Sequence, residues 1–237
     1  MSETLLITGV SSGLGLGLAA ASLDRGDRVF GLSRRSPGLV GRRGFTFLSL
    51  DLARLEAIPD SVSRLLQGVK SLDTIILNAG ILGRIADQCE TEVAELQAVM
   101  QVNVWANKVL LDALFSQGVA AEQVVGISSG ASVSGARGWS GYSVSKAALN
   151  MLVKLYAAER PQTHFSAVAP GLVDTAMQDY ARAFPADPRF PSMDRLKRAS
   201  GTPDMPAPEV AAPRLLAYFK RLRNRPSGGF YDIRTAP

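Results

Sequence analysis

The sequence predicts an α/β protein with one doubly wound parallel sheet of about seven strands and helices on both faces. Two observations predict this fold class. Short apolar, β-branched segments alternate with helix-like segments along the chain, as strands and helices do in a parallel sheet. No linker of altered composition divides the 237 residues. We therefore expect residues 1–237 to form a single domain.

Strands are predicted where apolar residues form short continuous runs, which is typical of buried parallel strands. These runs cover residues 4–8, 28–33, 45–50, 72–77, 123–127, 163–169 and 229–233. Helices are predicted where apolar residues recur at helical spacing. The first ends near residue 24, and the others cover residues 58–69, 92–115, 140–160 and 209–222. The proline-rich residues 172–208 are too long for a simple connection, so we expect a substrate-binding loop or lid there.

Composition and cysteine content exclude several classes of protein. Hydrophobic residues make up 46% and charged residues 20% of the chain, which is typical of globular rather than disordered proteins. The single Cys89 cannot form an internal disulfide, and the single His164, which we expect to be structural, excludes a His-rich metal centre. No apolar run approaches the roughly 18 residues that span a bilayer, and residues 1–8 lack the basic region of a signal peptide. We therefore expect no metal, no membrane association and a cytoplasmic location.

The net charge of +5 raises the question of a nucleic-acid partner. Most basic residues are dispersed, and no Lys/Arg stripe alternates with aromatic residues. The densest basic run, residues 220–225, lies at the end of a predicted helix, where cations complement the helix dipole. We therefore expect a small-molecule ligand and no nucleic acid. A positive net charge also suits an enzyme whose cofactor carries several phosphates.

A glycine-rich turn connects the first predicted strand to the first predicted helix. Gly9 can adopt a tight turn, and Gly13 and Gly15 would let the backbone approach a pyrophosphate at the helix N-terminus. The spacing Gly-x-x-x-Gly-x-Gly differs from the best-known dinucleotide fingerprint. The pattern therefore leaves two interpretations open, a dinucleotide site and a plain strand–helix loop.

The second predicted strand ends at Ser33, and Arg34 and Arg35 follow it directly, with no acidic residue. In a dinucleotide fold an acid at this place binds the ribose 2′-hydroxyl of NAD, whereas an Arg accommodates the 2′-phosphate of NADP. These residues therefore favour NADP(H) over NAD(H). Two solvated arginines in a loop are the alternative.

Tyr142 and Lys146 are four residues apart at the start of a predicted long helix. Residues at this spacing share a helix face. A Lys146 ammonium shielded from water would favour the tyrosinate and lower the phenol pKa towards the range where it exchanges protons at neutral pH. The spacing is common by chance, so an exposed aromatic and a solvated lysine remain the alternative for this pair alone.

Polar or glycine residues also follow the other predicted strands directly. They are Asp51, Asn78, Ser129, Pro170 and Gly171. In parallel α/β sheets, ligands bind outside the carboxyl ends of the strands. We therefore expect these residues to surround one binding site together with the glycine turn and the arginines after the second strand.

With these residues placed, the sequence resembles the short-chain dehydrogenase/reductase family over nearly the whole chain. The motifs that carry the resemblance are Thr8-Gly9-x-x-x-Gly13-x-Gly15, Asp51-Leu52, Asn78-Ala79-Gly80, Asn103, Ser129, Tyr142-x-x-x-Lys146 and Pro170-Gly171 with Thr175. Ser129 lies thirteen residues before Tyr142, as the family pattern requires, which selects it over Ser128 and Ser132. The resemblance implies a Rossmann-type sheet and an oxidoreductase activity.

The resemblance implies a catalytic role for four residues: Asn103, Ser129, Tyr142 and Lys146. Tyr142 would be the general acid that protonates a carbonyl oxygen during its reduction, and Ser129 would donate a hydrogen bond to the same oxygen. Lys146 would lower the pKa of Tyr142 and bind the nicotinamide ribose. Asn103 would hold a water that links Lys146 to bulk solvent.

The resemblance also implies a set of residues that bind NADP(H), with NAD(H) less favoured. This set comprises Gly9, Ser11, Ser12, Gly13, Leu14, Gly15, Ser33, Arg34, Asp51, Leu52, Asn78, Ala79, Gly80, Tyr142, Lys146, Pro170, Gly171, Val173 and Thr175. Some NADP-using members carry a basic residue just before the second glycine, where this chain has Ser12. The preference for NADP(H) therefore depends on Arg34, assisted by Ser33 and Arg35.

More narrowly, residues 138–142 and 170–178 resemble the sepiapterin reductase/benzil reductase branch of the family. This resemblance implies NADPH-dependent reduction of a dicarbonyl or α-hydroxyketone-like substrate to an alcohol. The residues expected to close the substrate pocket are Leu82, Trp139, Met177, Tyr180, Phe184 and residues 185–206. The family also implies a homodimer or homotetramer formed through residues 92–115 and 140–160.

Two other functions are compatible with the predicted fold. A catalytically idle dinucleotide-binding sensor or scaffold would need the glycine turn but not the four catalytic residues. The presence of all four therefore favours an enzyme. A sugar epimerase or dehydratase is less expected, because we find no additional substrate domain after the sheet.

Overall fold

The computed structural model describes residues 2–235, which contain a seven-stranded parallel sheet. The strands are β1 (Thr4–Thr8), β2 (Arg28–Ser33), β3 (Phe45–Ser49), β4 (Ser71–Leu77), β5 (Ala120–Ile127), β6 (His164–Ala169) and β7 (Gly229–Asp232). Their spatial order is β3-β2-β1-β4-β5-β6-β7. The order reverses between β1 and β4, and ligands bind outside the carboxyl ends of the strands at such a switch point.

Helices connect the strands of the sheet. They are α1 (Gly13–Asp24), α2 (Ile58–Leu65), α3 (Val93–Met100), α4 (Ala106–Ser116), α5 (Ala131–Ser134), α6 (Ser140–Glu159), α7 (Ala176–Ala183), α8 (Pro191–Ala199) and α9 (Pro208–Leu222). Short 3₁₀ turns lie at Leu55–Ala57 and Gln88–Glu90. Among the helices of residues 2–235, none is long and apolar enough to cross a membrane.

Both faces of the sheet are covered by helices, as the sequence predicts. Successive residues of a strand point to opposite faces, so a strand with two buried faces is apolar throughout. Leu6 packs in a core with α2, α4 and α6. Its neighbours Leu5 and Ile7 pack with α1 and α9 on the other face. This two-sided burial explains the continuous apolar runs of the strands.

The helix predicted over residues 58–69 is shorter in the structure and ends at Leu65. Leu66 has already left the helical conformation, with φ −103° and ψ 22°. Gly68 follows with a φ of 79°, the left-handed conformation in which helices commonly end. The apolar pattern continues through this turn, so periodicity alone extends the prediction too far.

The long helix predicted over residues 92–115 is interrupted in the structure. A π-helical segment, Gln101–Trp105, separates α3 from α4. Asn103 lies in this segment and is fully buried. Such segments are rare and frequently lie at functional sites. A polar Asn in the middle of an apolar helical pattern is the one sequence signal for the interruption.

Residues 172–208, named the lid here, contain two helices that the loop prediction misses. α8 begins with Pro191 at its first position, where a helix tolerates proline. Its side chains Met193 and Leu196 are buried with Phe190 in a small apolar core of their own. The lid is therefore an ordered part of the fold.

Two features expected to be structural lie away from the carboxyl edge of the sheet. His164 is at the N-terminal end of β6, and its Nε2 lies 3.0 Å from the carbonyl oxygen of Arg225. Lys220 lies in the last turn of α9, and its Nζ is 3.1 Å from Oε1 of Glu3. These positions agree with the structural roles expected for His164 and for the basic run.

Candidate active site

The glycine turn between β1 and α1 is shaped by contacts that leave no room for side chains. Gly9 and Gly13 have φ values of 77° and 57°, which glycine adopts without strain. A Cβ on Gly15 would lie 2.3 Å from the carbonyl oxygen of Gly9 and 2.4 Å from Nδ2 of Asn78. This Nδ2 donates to the carbonyl oxygen of Thr8 at 2.9 Å. Asn78 therefore holds the turn against the end of β4.

The N-terminus of α1 opens towards a cavity. Its cap residue, Ser12, makes no side-chain hydrogen bond with the helix, and the first turn carries no acidic residue. Ser12, Gly13 and Leu14 line the cavity. Backbone N–H groups at the N-terminus of a helix bind anions such as a pyrophosphate. The turn therefore fits the phosphates of a dinucleotide.

Two adjoining cavities run along the carboxyl edge of the sheet. The central cavity, of about 500 Å³, extends from the glycine turn to Tyr142. The Arg34 cavity, of about 490 Å³, lies beside the ends of β2 and β3, and Ala79 and Gly80 line both cavities. The glycine turn borders both cavities, with Tyr142 at the central cavity and Arg34 at the other.

Nearly all residues predicted to bind the cofactor line one of these cavities. Those at the central cavity are Gly9, Ser12, Gly13, Leu14, Asn78, Ala79, Gly80, Tyr142, Lys146, Pro170, Gly171, Val173 and Thr175. Those at the Arg34 cavity include Ser11, Ser33, Arg34, Asp51 and Leu52. Gly15 lines neither cavity, because it packs against the carbonyl of Gly9. Its contribution is to the shape of the turn.

The Arg34 cavity presents two cationic side chains. Arg34 and Arg35 are exposed, and neither pairs with a carboxylate among residues 2–235. Hydrogen bonds to their backbone hold this loop in place: the Ser33 hydroxyl donates to the carbonyl oxygen of Arg35 at 2.8 Å. The Ser49 hydroxyl donates to the carbonyl oxygen of Arg34 at 2.9 Å. Two unpaired cations on an ordered loop suit an anionic ligand.

Three serines follow β5, and their hydrogen bonds distinguish them. Ser128 Oγ donates to Oδ1 of Asn150 at 2.6 Å. Ser132 Oγ accepts from Nδ2 of Asn150 at 2.9 Å and donates to the carbonyl oxygen of Ser129 at 2.6 Å. Ser129 Oγ accepts from the N–H of Ala131 at 3.1 Å and lines the central cavity with Tyr142, so its own hydrogen can bond to that phenol or to a ligand there. Ser129 is also the serine that the motif spacing selects.

Tyr142 and Lys146 lie one turn apart at the start of α6, and both line the central cavity. The Lys146 ammonium is buried and donates to the carbonyl oxygen of Ile127 at 2.7 Å. Its Nζ lies 5.6 Å from the centre of the Tyr142 ring. Because an ammonium has three hydrogens, two remain for a ligand. The pair is therefore part of a cavity and not an exposed aromatic beside a solvated lysine.

Burial determines the direction of both pKa shifts. Burial raises the pKa of the Tyr142 phenol, and a hydrogen bond with Ser129 lowers it by a smaller amount. The net direction is opposite to the one expected from the charge of Lys146, because desolvation of the phenolate dominates. Burial also lowers the pKa of Lys146 to about 8. At neutral pH Tyr142 is therefore a phenol that can donate a proton, and Lys146 is charged.

Asn103 connects the end of β4 to α6. Its Oδ1 accepts from the N–H of Ile81 at 2.8 Å, and its Nδ2 donates to the carbonyl oxygen of Ile81 and to Oγ of Ser145, both at 2.9 Å. Ser145 Oγ in turn donates to the carbonyl oxygen of Tyr142 at 2.8 Å. Asn103 lines neither cavity. Its side chain therefore positions the first turn of α6, and the water expected between Asn103 and Lys146 stays a prediction.

The lid contributes one wall of the central cavity. Met177, Ser192 and Leu196 line this wall, next to Trp139. Trp139 Nε1 donates to Oγ of Ser192 at 2.8 Å, and its ring centre lies 5.9 Å from that of Tyr142. Trp139 and Met177 are therefore at the pocket, where the sequence places them.

Three other residues expected to close the pocket do not line it. Leu82 and Phe184 pack against the apolar core of the lid, with Phe184 in edge contact with Phe190 at 5.6 Å between ring centres. Tyr180 is 47% exposed on α7. Leu82 and Phe184 therefore pack in the core of the lid rather than in the pocket.

An ion-pair cluster connects the lid to the loop before α6. Both oxygens of Asp87 accept from Arg137, through Nε and Nη2, each at 2.6 Å. Arg189 of the lid also reaches Asp87, with Nη1 3.2 Å from Oδ2. The Arg137 guanidinium beside Asp87 holds the pKa of that carboxyl below its usual value. The lid is therefore tied to the segment that carries Trp139.

Five polar side chains of the central cavity were not singled out individually from the sequence, although Ser192 and Arg195 lie within the residues 185–206 expected to close the pocket. They are Ser134, Gln178, Ser192, Arg195 and Arg234. Among the described residues, the buried Oε1 of Gln178 has no hydrogen-bond partner. Ser192 and Arg195 lie on one face of α8, which the sequence pattern does not predict. Arg234 follows the last strand. No motif marks Ser192, Arg195 or Arg234, because their place depends on how the lid and the C-terminal segment fold over the sheet.

Comparisons with known proteins identify the family. The family model described as short chain dehydrogenase matches residues 3–186. The benzil reductase ((S)-benzoin forming) of Bacillus subtilis (strain 168) is 32% identical over 244 aligned positions, covering 98% of each chain. The sepiapterin reductase of Rattus norvegicus is 29% identical and covers 96% of each chain. A short chain dehydrogenase from Shigella flexneri 2a str. 301, solved in complex with NADP, superposes with a TM-score of 0.79 at 26% identity, over 98% of this chain and 97% of that chain.

The chain belongs to the short-chain dehydrogenase/reductase family. Its relatives fall in the benzil reductase and sepiapterin reductase-like branch, as the sequence motifs predict. The protein is therefore an oxidoreductase with a Rossmann-type sheet.

Proposed function

We propose that the protein is an NADP(H)-dependent carbonyl reductase, which converts a ketone or diketone to an alcohol with Tyr142 as the general acid. One observation carries this proposal. The available hydroxyl of Ser129, the phenol of Tyr142 and the ammonium of Lys146 all meet the cavity that begins at the phosphate-binding glycine turn. A hydrogen-bond donor, a proton donor and a cation are the groups that carbonyl reduction needs at the developing oxyanion.

The residues of this chain prepare the carbonyl for reduction. Bound NADPH supplies the hydride. Ser129 donates a hydrogen bond to the carbonyl oxygen and orients it. Tyr142, whose pKa is raised by burial, is protonated at neutral pH and gives its proton to the same oxygen. Lys146 offers its two remaining hydrogens to the ribose of the cofactor and holds positive charge beside the tyrosine.

A dicarbonyl is the substrate class we propose. The Bacillus subtilis relative is named for its action on benzil, an apolar diketone. In the present chain Trp139, Leu172, Met177 and Leu196 line the central cavity beside Tyr142. Apolar and aromatic walls with a few polar groups are typical of small-molecule sites. This lining supports an aromatic or branched carbonyl compound, and we assign the lid to its recognition.

Oxidation of NADPH in the presence of diketones and quinones tests the proposal. We expect the wild-type protein to turn over at least one of these compounds and to form the corresponding hydroxyketone. Binding of NADPH without turnover on any of them would favour a catalytically idle dinucleotide-binding sensor or scaffold.

The preference for NADP(H) depends on Arg34 in this account. Arg34→Asp should raise the KM for NADPH by roughly 10- to 100-fold, because a charge-assisted hydrogen bond to the 2′-phosphate is lost and a like charge replaces it. The new carboxylate can bind a ribose 2′-hydroxyl, so the kcat/KM with NADH should rise. Initial rates with both cofactors measure the change.

Arg43→Asp provides the matched control, because Arg43 is exposed in the same connection and does not line the Arg34 cavity. It makes the same change of charge and should leave both KM values within about two-fold, the size of a screened surface interaction. Equal use of NADPH and NADH by the wild-type protein would contradict the role of Arg34.

A homodimer or homotetramer is also proposed. Val144, Met151 and Leu155 lie on one side of α6, and each is more than half exposed. Trp105, the residue before α4, is 46% exposed. Large exposed apolar side chains of this kind are typical of subunit contacts. Light scattering should give two or four times the chain mass of 25.2 kDa. A mass near 25.2 kDa would contradict this assembly.

We further propose a cytoplasmic location and a single folded unit over residues 1–237. A composition with one cysteine supports the first, because it does not depend on disulfides. One sheet with helices on both faces supports the second. Recovery of the protein from a secreted fraction, or two separate unfolding transitions in calorimetry, would contradict these points.

A further inference from the structure

A third cavity, of about 720 Å³, is lined by arginines. We name it the arginine chamber. Its four guanidinium groups belong to Arg195, Arg198, Arg214 and Arg234, and its one carboxylate belongs to Asp204. Nothing in the proposed reduction of a neutral diketone makes use of this charge.

The arginine chamber adjoins the central cavity. Pro170, Gly171 and Leu172 line both, and so do Arg195 and Arg234. A molecule whose carbonyl lies at Tyr142 can therefore extend past Leu172 without leaving the protein surface. Arg195 and Arg234 would contact such a molecule where it crosses from the central cavity into the arginine chamber.

The two shared arginines differ in their pairing. Arg234 is held by Asp232, with Nε 2.9 Å from Oδ1. Its Nη2 would lie 3.1 Å from a Cβ on Gly130, the residue after Ser129, so its guanidinium is close to the catalytic serine. Arg195 has no carboxylate partner among residues 2–235 and projects from the same face of α8 as Ser192. Arg195 is therefore a free cation at the junction.

Resting on the proposed reductase function, we propose that the substrate carries a carboxylate, and that Arg195 at the mouth of the arginine chamber binds it. Guanidinium groups bind carboxylates through two parallel N–H···O bonds. Arg198 and Arg214 add positive charge to the lining of the chamber. Within the aromatic or branched carbonyl compounds proposed above, the substrate is then a keto acid, reduced to a hydroxy acid.

The chemistry of the reaction is unchanged by the carboxylate. Bound NADPH would supply the hydride that forms the new C–H bond at the carbonyl carbon, Tyr142 supplies the proton to the carbonyl oxygen, and the carboxylate stays in the product unchanged. Its role is binding alone, so the effect of Arg195 should appear mainly in KM and kcat/KM.

Keto acids and their methyl esters form matched pairs for the test. Benzoylformate, 3-benzoylpropanoate and 4-benzoylbutanoate place the carboxylate at increasing distance from the carbonyl, and each ester removes the charge. The measured quantity is the ratio of kcat/KM for acid to that for ester, in the wild type and in Arg195→Gln. Division of the two ratios cancels the intrinsic reactivity of each carbonyl.

For at least one pair, Arg195→Gln should lower the acid-to-ester ratio by roughly 10- to 100-fold, the range of a charge-assisted hydrogen bond. The ester alone should change little. Arg195→Lys should recover part of the loss, because it keeps the charge but not the fork of donors. Added salt should slow reduction of the acid and spare that of the ester. Arg64→Gln, an exposed arginine of α2 that lines none of the three cavities, is the matched control.

Three results would overturn the inference or its basis. If diketones and esters are reduced but no acid-to-ester ratio depends on Arg195, the carboxylate proposal is wrong and the reductase function stands. If Arg195→Gln raises the KM for NADPH and affects acid and ester alike, Arg195 serves the cofactor. If the wild type reduces none of these carbonyl compounds, the proposed function itself has failed.

Discussion

Tyr142→Phe should lower kcat for carbonyl reduction by about 10²- to 10⁴-fold, the range of a positioned general acid. The substitution removes the proton and keeps the ring, which lies 5.9 Å from that of Trp139. The substitution removes the phenol's hydrogen bond with Ser129 and leaves the ring in place, so the fold should persist. The Kd for NADPH, measured by fluorescence titration, should change little. Loss of turnover with retained binding is the combination that identifies an acid.

Tyr231→Phe is the matched control for this prediction. Tyr231 lies on β7, and its hydroxyl donates to the carbonyl oxygen of Pro226 at 2.6 Å, away from the three cavities. Like Tyr142→Phe, Tyr231→Phe removes one phenolic hydroxyl. It should leave kcat within about two-fold of the wild-type value, since a partly exposed hydrogen bond contributes little. If Tyr142→Phe retained wild-type kcat, the assignment of the acid would be wrong.

Lys146→Met should lower kcat/KM for NADPH-dependent reduction by roughly 10²- to 10³-fold, because charge-assisted hydrogen bonds to the cofactor ribose are lost together with the cation beside Tyr142. The wild type should also lose activity as pH rises through about 8, the pKa to which burial lowers Lys146. The sign follows from the charge: the ammonium is present below this pH and absent above it. In Lys146→Met this decline near pH 8 should disappear.

Lys154→Met is the corresponding control, because Lys154 is an exposed lysine of the same helix. Removal of Lys146 leaves the carbonyl of Ile127 without its ammonium donor, so thermal unfolding of each variant should be recorded alongside the kinetics. Lys146→Arg keeps the charge and should retain part of the activity. An unchanged pH profile in Lys146→Met would show that another group governs the decline.

The sheet could be predicted from the sequence because each strand is a short apolar run buried on both faces. Strand β1 is predicted residue for residue as Thr4–Thr8, and β2 as Arg28–Ser33. The candidate site could be predicted for a related reason. Its residues follow the strands directly, and parallel strands bring their carboxyl ends to one edge. Ser129 and Asp51, which are far apart in sequence, both reach cavities at this edge.

The lid could not be predicted in the same way. Its helices α7 and α8 are short, and the position of α8 depends on the small core around Phe190 rather than on a strong local pattern. Arg195 reaches the central cavity only because α8 turns that face towards it. The direction of the pKa shift of Tyr142 could not be predicted from the sequence either, because it depends on how deeply the phenol is buried and not on the identity of its neighbour Lys146.

Transfer of deuterium from the cofactor to the product tests the central claim most directly. The wild-type protein would be incubated with benzil and NADPH that carries deuterium at the transferable position of the nicotinamide, and the product examined by mass spectrometry and NMR. We predict benzoin with one deuterium on the carbinol carbon, and none formed by Tyr142→Phe in the same time. Cofactor bound by the wild type, with no deuterium transferred to benzil or to any other carbonyl compound, would contradict the account.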